Sequence, residues 1–147
     1  MDAVEVRGFA LFTGSAGCSQ CHPVAASAAT FSDSAFHNLG VGYDAKTKTF
    51  KDVGRVAISK NEADTGAFKT PTLRDVTKHA PYMHDGSVAT LRDVMVLYNR
   101  GGEKNPHLDP KMKPLALTDG EVDALVAFMQ ALDGEGYQDK APAVFPQ

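Results

Sequence analysis

The chain has 147 residues, the length of a single domain, and its 43% hydrophobic and 22% charged residues are typical of a globular protein. A formal net charge of −3 argues against nucleic acid or an anionic membrane surface as a partner. No apolar run approaches the length of a transmembrane helix, so we expect no membrane insertion.

Residues 2–14 are predicted to form the first helix. Its apolar face repeats at the helical period and comprises Val4, Gly8, Leu11 and Phe12. Glycine inside a helix costs about 1 kcal/mol relative to alanine, so Gly8 is expected to allow the close approach of another backbone. Gly14 and Gly17 are predicted to end the helix and to turn the chain into the next motif.

The five residues from Cys18 to His22 read C-x-x-C-H, which is the attachment sequence of a c-type haem. Two thiols at this spacing can add to the two vinyl groups of one porphyrin, and the imidazole of His22 can then ligate the iron. A zinc site would need a second cluster of cysteine or histidine, but Cys18 and Cys21 are the only cysteines. The spacing also suits a disulfide or a thioredoxin-like redox pair, although the latter needs a βαβ context that the sequence lacks. The motif therefore predicts one covalent haem c, with His22 as a metal ligand.

Haem attachment to this motif normally takes place outside the bacterial cytoplasm, which predicts a periplasmic protein. The first residues have neither the basic nor the apolar region of a signal peptide. We therefore expect a form of the protein from which the leader has been removed.

The middle of the chain has the least regular pattern. A short helix is expected over 24–30 from its alanines. Residues 31–69 are predicted to be a long excursion over the haem edge, with room for one short hairpin. Thr70 and Pro71 are the residue types of a helix N-terminus and predict a helix that begins there.

Two capping patterns predict the remaining helices. Thr90 with Asp93 is predicted to begin a helix that stops before the Gly-Gly pair at 101–102. Thr118 with Glu121 begins the most regular helix of the sequence.

Because strand patterns are few, the predicted class is mainly α. The expected organisation is one domain over 1–134, followed by a flexible tail over 135–147.

A series of motifs carries a resemblance to a known family. Gly8 and Phe12 before the haem motif, and Leu-Val-Ala-Phe at 125–128, are features of the first and last helices of a cytochrome c fold. The more specific motifs are Phe-His-Asn-Leu-Gly at 36–40, Asp-Val-Gly-Arg at 52–55, Gly-Ala-Phe-Lys-Thr-Pro-Thr-Leu-Arg-Asp-Val at 66–76, Ala-Pro-Tyr-Met-His-Asp-Gly-Ser at 80–87 and Tyr-Asn-Arg-Gly-Gly at 98–102. In this order they closely resemble the C-terminal haem domain of the bacterial di-haem cytochrome c peroxidase and MauG superfamily.

The resemblance implies a cytochrome c fold with long loops over the haem. In those proteins the N-terminal haem reacts with peroxide, whereas the C-terminal haem is six-coordinate and relays electrons. This chain has a single C-x-x-C-H motif. We therefore expect a mono-haem c-type cytochrome that corresponds to the electron-transfer half.

The second axial ligand determines what the haem does. From the residues alone, the candidates are the tyrosine at 98, the remaining histidines and four methionines: Met83, Met95, Met112 and Met129. Met112 lies in a loop shortly before the last helix, where small cytochromes c have their methionine ligand. The resemblance points instead to Tyr98, at the end of the helix that follows the 80–87 motif. We predict Tyr98, with Met112 as the alternative and an open or water-bound position as a third possibility.

Other pocket residues follow from charge and from the motifs. Arg55 and Arg74 are predicted to pair with the haem propionates, because guanidinium matches carboxylate geometry, with surface solvation as the alternative for each. His84 lies in a motif that resembles the family's haem surroundings and is predicted to touch the pocket. His37 is a further candidate for the pocket.

The predicted function is electron transfer with a periplasmic redox protein, such as a small cytochrome, a cupredoxin or an oxidoreductase, through a small transient interface. The alternatives are a peroxidase-like enzyme of the MauG type, a haem module of a larger di-haem peroxidase, and a haem sensor. No dedicated acid–base pair for O–O cleavage is apparent, although His37 or His84 could serve as one. We therefore assign no catalytic residue.

Overall fold

The computed structural model describes residues 1–25 and 29–135. Four α-helices lie within these ranges: α1 (Ala3–Thr13), α2 (Val56–Ser59), α3 (Leu91–Asn99) and α4 (Asp119–Gln130). The strands are two residues long each: β1 (Phe36–His37), β2 (Tyr43–Asp44), β3 (Thr49–Phe50) and β4 (Phe68–Lys69). Single 3-10 turns lie at Cys18–Gln20, Glu62–Asp64 and Val76–His79. The predicted mainly α class is confirmed.

The predicted first helix is confirmed as α1, and a capping box fixes its first turn. The Asp2 carboxylate accepts from the backbone N–H groups of Val4 and Glu5 at 2.8 and 2.9 Å, and the Glu5 carboxylate accepts from the Asp2 N–H. At the other end, the N–H of Gly14 donates to the Leu11 carbonyl. Both helix ends therefore satisfy backbone groups that would otherwise lack partners.

Helices α1 and α4 cross at Gly8, where the backbone of Ala124 leaves no room for a side chain. The predicted close approach at Gly8 is confirmed. One turn later, the side chain of Phe12 is fully buried, and its ring lies 5.1 Å from that of Phe128 and 6.1 Å from that of Phe31. This crossing and its aromatic cluster form the centre of the core, and they place the end of α1 directly before the Cys-x-x-Cys-His motif.

The two predicted caps begin α3 and α4. The Thr90 hydroxyl accepts from the Asp93 N–H at 3.1 Å, and Thr118 forms a capping box with Glu121. The side chains that these helices bury against α1 and the aromatic cluster include Leu91, Val94, Met95, Val122, Leu125 and Met129.

The excursion from 31 to 69 is held by two small antiparallel ladders. Strands β2 and β3 form a hairpin that pairs Tyr43 with Phe50, which is the single hairpin that the sequence allowed for. Strands β1 and β4 close the excursion by pairing His37 with Phe68. The second ladder joins residues far apart in sequence, and the sequence did not indicate it.

The prediction that a helix begins at Thr70 and Pro71 is wrong. The backbone N–H of Thr70 donates to the Ala35 carbonyl at 2.9 Å, so this residue extends the β1–β4 pairing. Its hydroxyl faces the same carbonyl at 3.4 Å and caps no helix. The chain turns into a 3-10 helix only at Val76–His79, after Asp75 in a left-handed conformation.

Two predictions concern residues outside those described. The helix expected over 24–30 has its centre at 26–28, which lies outside the described ranges, while its described flanks are not helical. The tail expected over 135–147 lies outside them from residue 136 onward. Within the described ranges, no helix has the length and apolar character needed to cross a bilayer.

Candidate haem site

The Cys-x-x-Cys-His motif forms a tight 3-10 turn directly after α1. Gly17 precedes it with a φ of 65°, and a Cβ atom there would lie 2.7 Å from the Gln20 side chain, so the turn suits glycine. The Cys18 carbonyl accepts from the N–H groups of both Cys21 and His22, at 3.2 and 2.9 Å. The turn therefore gathers two thiols and one imidazole within five residues.

The two cysteines are free thiols and are not joined in a disulfide. Burial raises the pKa of Cys18 to about 11. Burial also raises the pKa of Cys21, against the opposing effect of the Lys111 ammonium. Burial therefore favours the neutral thiol form of both cysteines.

His22 is oriented by the backbone. Its Nδ1 donates to the Phe31 carbonyl oxygen at 2.6 Å, which fixes the tautomer and leaves Nε2 unprotonated. Burial lowers the pKa of His22, against the effect of that hydrogen bond, so the imidazole is held neutral. A neutral imidazole with a free Nε2 is the form that ligates iron.

The carbonyl that orients His22 belongs to an unusual residue. Phe31 has a φ of 52° and a ring that is only 4% exposed, locked between those of Phe12 and Phe128. The aromatic core thereby stabilises a strained backbone conformation that directs the Phe31 carbonyl to His22.

Tyr98, at the end of α3, lies near the same turn. Burial raises the pKa of its phenol, and the nearby thiols of Cys18 and Cys21 raise it further. Tyr98 is half-buried, and its hydroxyl forms no hydrogen bond with the described residues. The predicted role of Tyr98 as an iron ligand stays a prediction.

The loop that contains Met112 also reaches the turn, but through its lysine. Lys111 Nζ lies 3.3 Å from the Gln20 carbonyl and 3.9 Å from Cys21 Sγ. Met112 Cε lies 3.1 Å from the position of a Cβ on Gly102, so its thioether end packs against that backbone.

The two predicted arginines have other partners. Arg55 lies over the ring of Phe36 at 3.9 Å and pairs with Asp64 at 3.3 Å. Arg74 donates from Nε to the Ala29 carbonyl at 3.0 Å, and its guanidinium lies 5.2 Å from the centre of the Phe31 ring. The predicted propionate contacts of both residues stay predictions.

His84 is exposed and stacks on Phe68, with ring centroids 3.5 Å apart and planes at 9°. Phe68 is also the β-ladder partner of His37. The predicted contact of His84 with the haem pocket also stays a prediction.

Sequence reasoning named His37 but missed its two partners, Asp33 and Asp109. His37 lies between two carboxylates: its Nδ1 is 2.6 Å from Asp109 Oδ2, and its Nε2 is 2.9 Å from Asp33 Oδ2. One polar atom each of Cys21, Asp33 and His37 lies within 4.8 Å of the others. The four-residue spacing of Asp33 and His37 was visible in the sequence, but Asp109 is 72 residues away from His37 and had no signal.

Residues 5–133 match the family model described as Cytochrome c. The chain belongs to the cytochrome c family. It is 44% identical over 131 residues to methylamine utilization protein MauG of Methylorubrum extorquens, in a match that covers 88% of this chain and 34% of that protein. It is 33% identical over 147 residues to cytochrome c551 peroxidase of Nitrosomonas europaea, covering 97% of this chain and 38% of the peroxidase.

The solved structures agree with these relatives. This cytochrome matches a MauG-like protein associated with microbial copper homeostasis with a TM-score of 0.80 and 31% identity, over 92% of this chain and 48% of that one. The predicted cytochrome c fold and the predicted membership of the di-haem peroxidase and MauG superfamily are confirmed. The chain spans less than half the length of these relatives.

The donor set of this cytochrome fits haem c. Cys18 and Cys21 supply two thiols that are not bonded to each other, and His22 supplies an oriented neutral imidazole. Haem c would be held covalently by the two thiols and through its iron by His22, and it supplies a one-electron couple between Fe(III) and Fe(II).

Proposed function

We propose that this cytochrome is an electron-transfer domain with a single haem c, whose iron has His22 and Tyr98 as axial ligands. One observation carries the proposal: His22 Nε2 and the Tyr98 hydroxyl are both without a hydrogen-bond partner among the described residues, and Tyr98 lies within electrostatic range of the two attachment thiols. An iron with both axial positions filled exchanges electrons without binding a substrate. A phenolate ligand stabilises ferric iron and so lowers the reduction potential.

Tyr98 is preferred to Met112 because of their surroundings. The half-buried Tyr98 lies within electrostatic range of Cys18 and Cys21. The Met112 side chain instead contacts the Gly102 backbone, and it is Lys111 that reaches the motif.

Substitution of Tyr98 by phenylalanine tests the proposal. In the holoprotein, Tyr98→Phe is expected to convert a low-spin ferric spectrum into a high-spin one and to raise the midpoint potential. Tyr43→Phe is the matched control, because Tyr43 packs against Phe50 in the β2–β3 hairpin. A Tyr98→Phe spectrum identical to that of the wild type would show that another group ligates the iron.

The proposed partner is a periplasmic redox protein, such as a small cytochrome, a cupredoxin or an oxidoreductase. Support for the compartment comes from the motif, since haem is normally attached to it outside the bacterial cytoplasm. Fractionation of the native host should place the haem-staining protein with the periplasmic contents, and haem staining confined to the cytoplasm would contradict this.

Around the haem, we propose contacts for Arg74, Arg55 and His84. Arg74 is the best supported, because it lies on Phe31, the residue whose carbonyl orients His22. Arg55 would have to share its guanidinium with Asp64. Replacing Arg74 by glutamine should therefore alter the midpoint potential more than the same change at Arg55.

A second function is favoured by the coverage of the relatives. The chain matches 34% of MauG and 38% of the cytochrome c551 peroxidase, so it could act as a haem module of a larger peroxidase. Addition of hydrogen peroxide to the isolated holoprotein distinguishes the two functions. A carrier should keep its ferric spectrum, whereas a spectral change at stoichiometric peroxide would favour the enzyme.

A further inference from the structure

The cluster formed by Asp33, His37 and Asp109 has an unusual charge arrangement. One imidazole donates or accepts at both ring nitrogens, and each nitrogen faces a separate carboxylate at 2.6 or 2.9 Å. The side chains are only 13% exposed for His37, 21% for Asp33 and 15% for Asp109. Both ring nitrogens can donate only in the imidazolium form, so this geometry favours a protonated His37.

Other titratable and charged groups near the cluster come from two sides. From the haem turn, Cys21 lies within 4.8 Å of the cluster and His22 lies within electrostatic range of it. Lys111, two residues after Asp109, directs its ammonium to Cys21. Across the β1–β4 ladder, Phe68 faces His37 and Lys69 faces Phe36. Two carboxylates therefore face one imidazole, close to Cys21 of the haem-attachment motif.

A metal ion is a poor occupant of this cluster. Cys21 would form the thioether bond with haem c, and both nitrogens of His37 already have carboxylate partners. The species that this geometry accommodates is a proton on His37. Burial alone would lower the pKa of His37, but its hydrogen bonds to Asp109 and Asp33 and their charges raise it above the ordinary value of 6.5.

We propose that His37 is a redox-linked proton site, so that reduction of the haem is coupled to proton uptake at this imidazole. One electron passes from a one-electron donor protein to the haem iron. At a pH between the ferric-state and ferrous-state pKa values of His37, one proton passes from water to its unprotonated ring nitrogen, where a single N–H bond forms. Oxidation releases both.

The coupling has a simple electrostatic origin. An electron added near Cys21 makes positive charge on His37 more favourable, and by linkage a proton on His37 makes the reduced haem more favourable by the same factor. For two partly buried charges about 10–15 Å apart, Coulomb's law gives a factor of about three to ten, which is the increase in proton affinity that we expect in the ferrous protein over the ferric protein. The inference rests on the proposed electron-transfer function and names a regulation of that site.

The direct test is the pKa of His37 in the two redox states of the holoprotein, measured by NMR of ring-labelled histidine. We expect a higher pKa in the ferrous state, corresponding to a three- to tenfold higher proton affinity of His37. Equal values in the two states would overturn the inference. This measurement uses the wild-type protein, so it decides the question even if a His37 variant does not fold.

The second test is the midpoint potential as a function of pH. In the wild type, the potential should be constant below the ferric-state pKa of His37, fall with rising pH up to the ferrous-state pKa, and level off above it. His37→Gln should remove this fall. His79→Gln, at an exposed histidine outside the cluster, should keep it. A fall that persists in His37→Gln would overturn the inference.

The outcomes also separate this inference from the function on which it rests. A haem couple that is reversible but independent of pH contradicts the proton site and leaves electron transfer intact. A haem that does not cycle reversibly contradicts the proposed function, and the inference fails with it.

Discussion

A Cβ atom on Gly8 would lie 1.9 Å from the carbonyl oxygen of Ala124 and 2.8 Å from Cβ of Phe128. No side-chain movement can relieve the first overlap, because the obstructing atom belongs to the backbone of α4. Gly8→Ala should therefore force α1 and α4 apart and lower the free energy of unfolding by about 3 kcal/mol, at the upper end of overpacking effects. Denaturant unfolding of the holoprotein measures the change.

Gly120→Ala is the matched control, since a Cβ there meets nothing within 4 Å. This substitution lies inside α4 and should raise the free energy of unfolding by up to about 1 kcal/mol, because alanine is the better helix former. Equal effects of the two substitutions would contradict the close crossing at Gly8.

A second prediction concerns stability and pH. The pKa of His37 is raised in the folded protein above 6.5, its ordinary value. The stabilisation from its two carboxylate partners is therefore fully present below pH 6.5 and is lost as the pH rises through the folded-state pKa. We expect His37→Gln to lower the free energy of unfolding by about 2 kcal/mol at pH 6 and by less at pH 9, as for hydrogen bonds to charged groups.

Urea unfolding of wild type and His37→Gln over pH 5–9 gives this difference directly. His79→Gln removes an exposed histidine and should show no such trend. A difference that grows toward pH 9 would mean that His37 is folded in its neutral form.

The stabilisation that Asp33 contributes should have the opposite pH dependence to that of His37 and should be lost in acid. Burial alone would raise its pKa, but hydrogen bonds from His37 and Thr70 lower it to about 2 from an ordinary 3.8. Its contribution is present above pH 3.8 and is lost as the pH falls toward 2. Asp33→Asn should therefore lower the free energy of unfolding by about 1 kcal/mol at pH 5, after allowance for solvent screening, and by progressively less in acid. Unfolding curves followed by circular dichroism at decreasing pH measure this difference.

The sequence predicted those parts of the molecule that depend on neighbouring residues. The Cys18-to-His22 motif and the caps at Thr90 and Thr118 each place their partners within five residues, so local spacing was sufficient. The Thr70 prediction was wrong because its N–H and hydroxyl are directed to Ala35, a partner that only the fold brings near. The His37–Asp109 contact had no sequence signal for the same reason.

A fourth prediction follows from Lys111, whose ammonium lies 3.9 Å from Cys21 Sγ. A positive charge beside the haem attachment favours the reduced iron, so Lys111→Gln should lower the midpoint potential. The equilibrium constant for reduction should fall about threefold. Lys113→Gln is the matched control, an exposed lysine two residues further along the same loop. The two potentials can be compared by spectroelectrochemistry, and a larger shift in Lys113→Gln would contradict this placement of Lys111.

The last prediction separates Met112 from the iron. Its Cε lies 3.1 Å from where a Cβ of Gly102 would be, so its thioether end fills space against that backbone. Met112→Ala should lower the free energy of unfolding by about 1–2 kcal/mol, which is less than the roughly 2–5 kcal/mol typical of a fully buried methionine, because the residue is half-buried. The ferric spectrum of the holoprotein should not change.

A long-wavelength charge-transfer band that is present in the wild type and lost in Met112→Ala would identify a thioether–iron bond and contradict Tyr98 as the ligand. Tyr98 would then be a buried phenol in the haem pocket, and the potential would be that of a histidine–methionine haem, which favours the ferrous state.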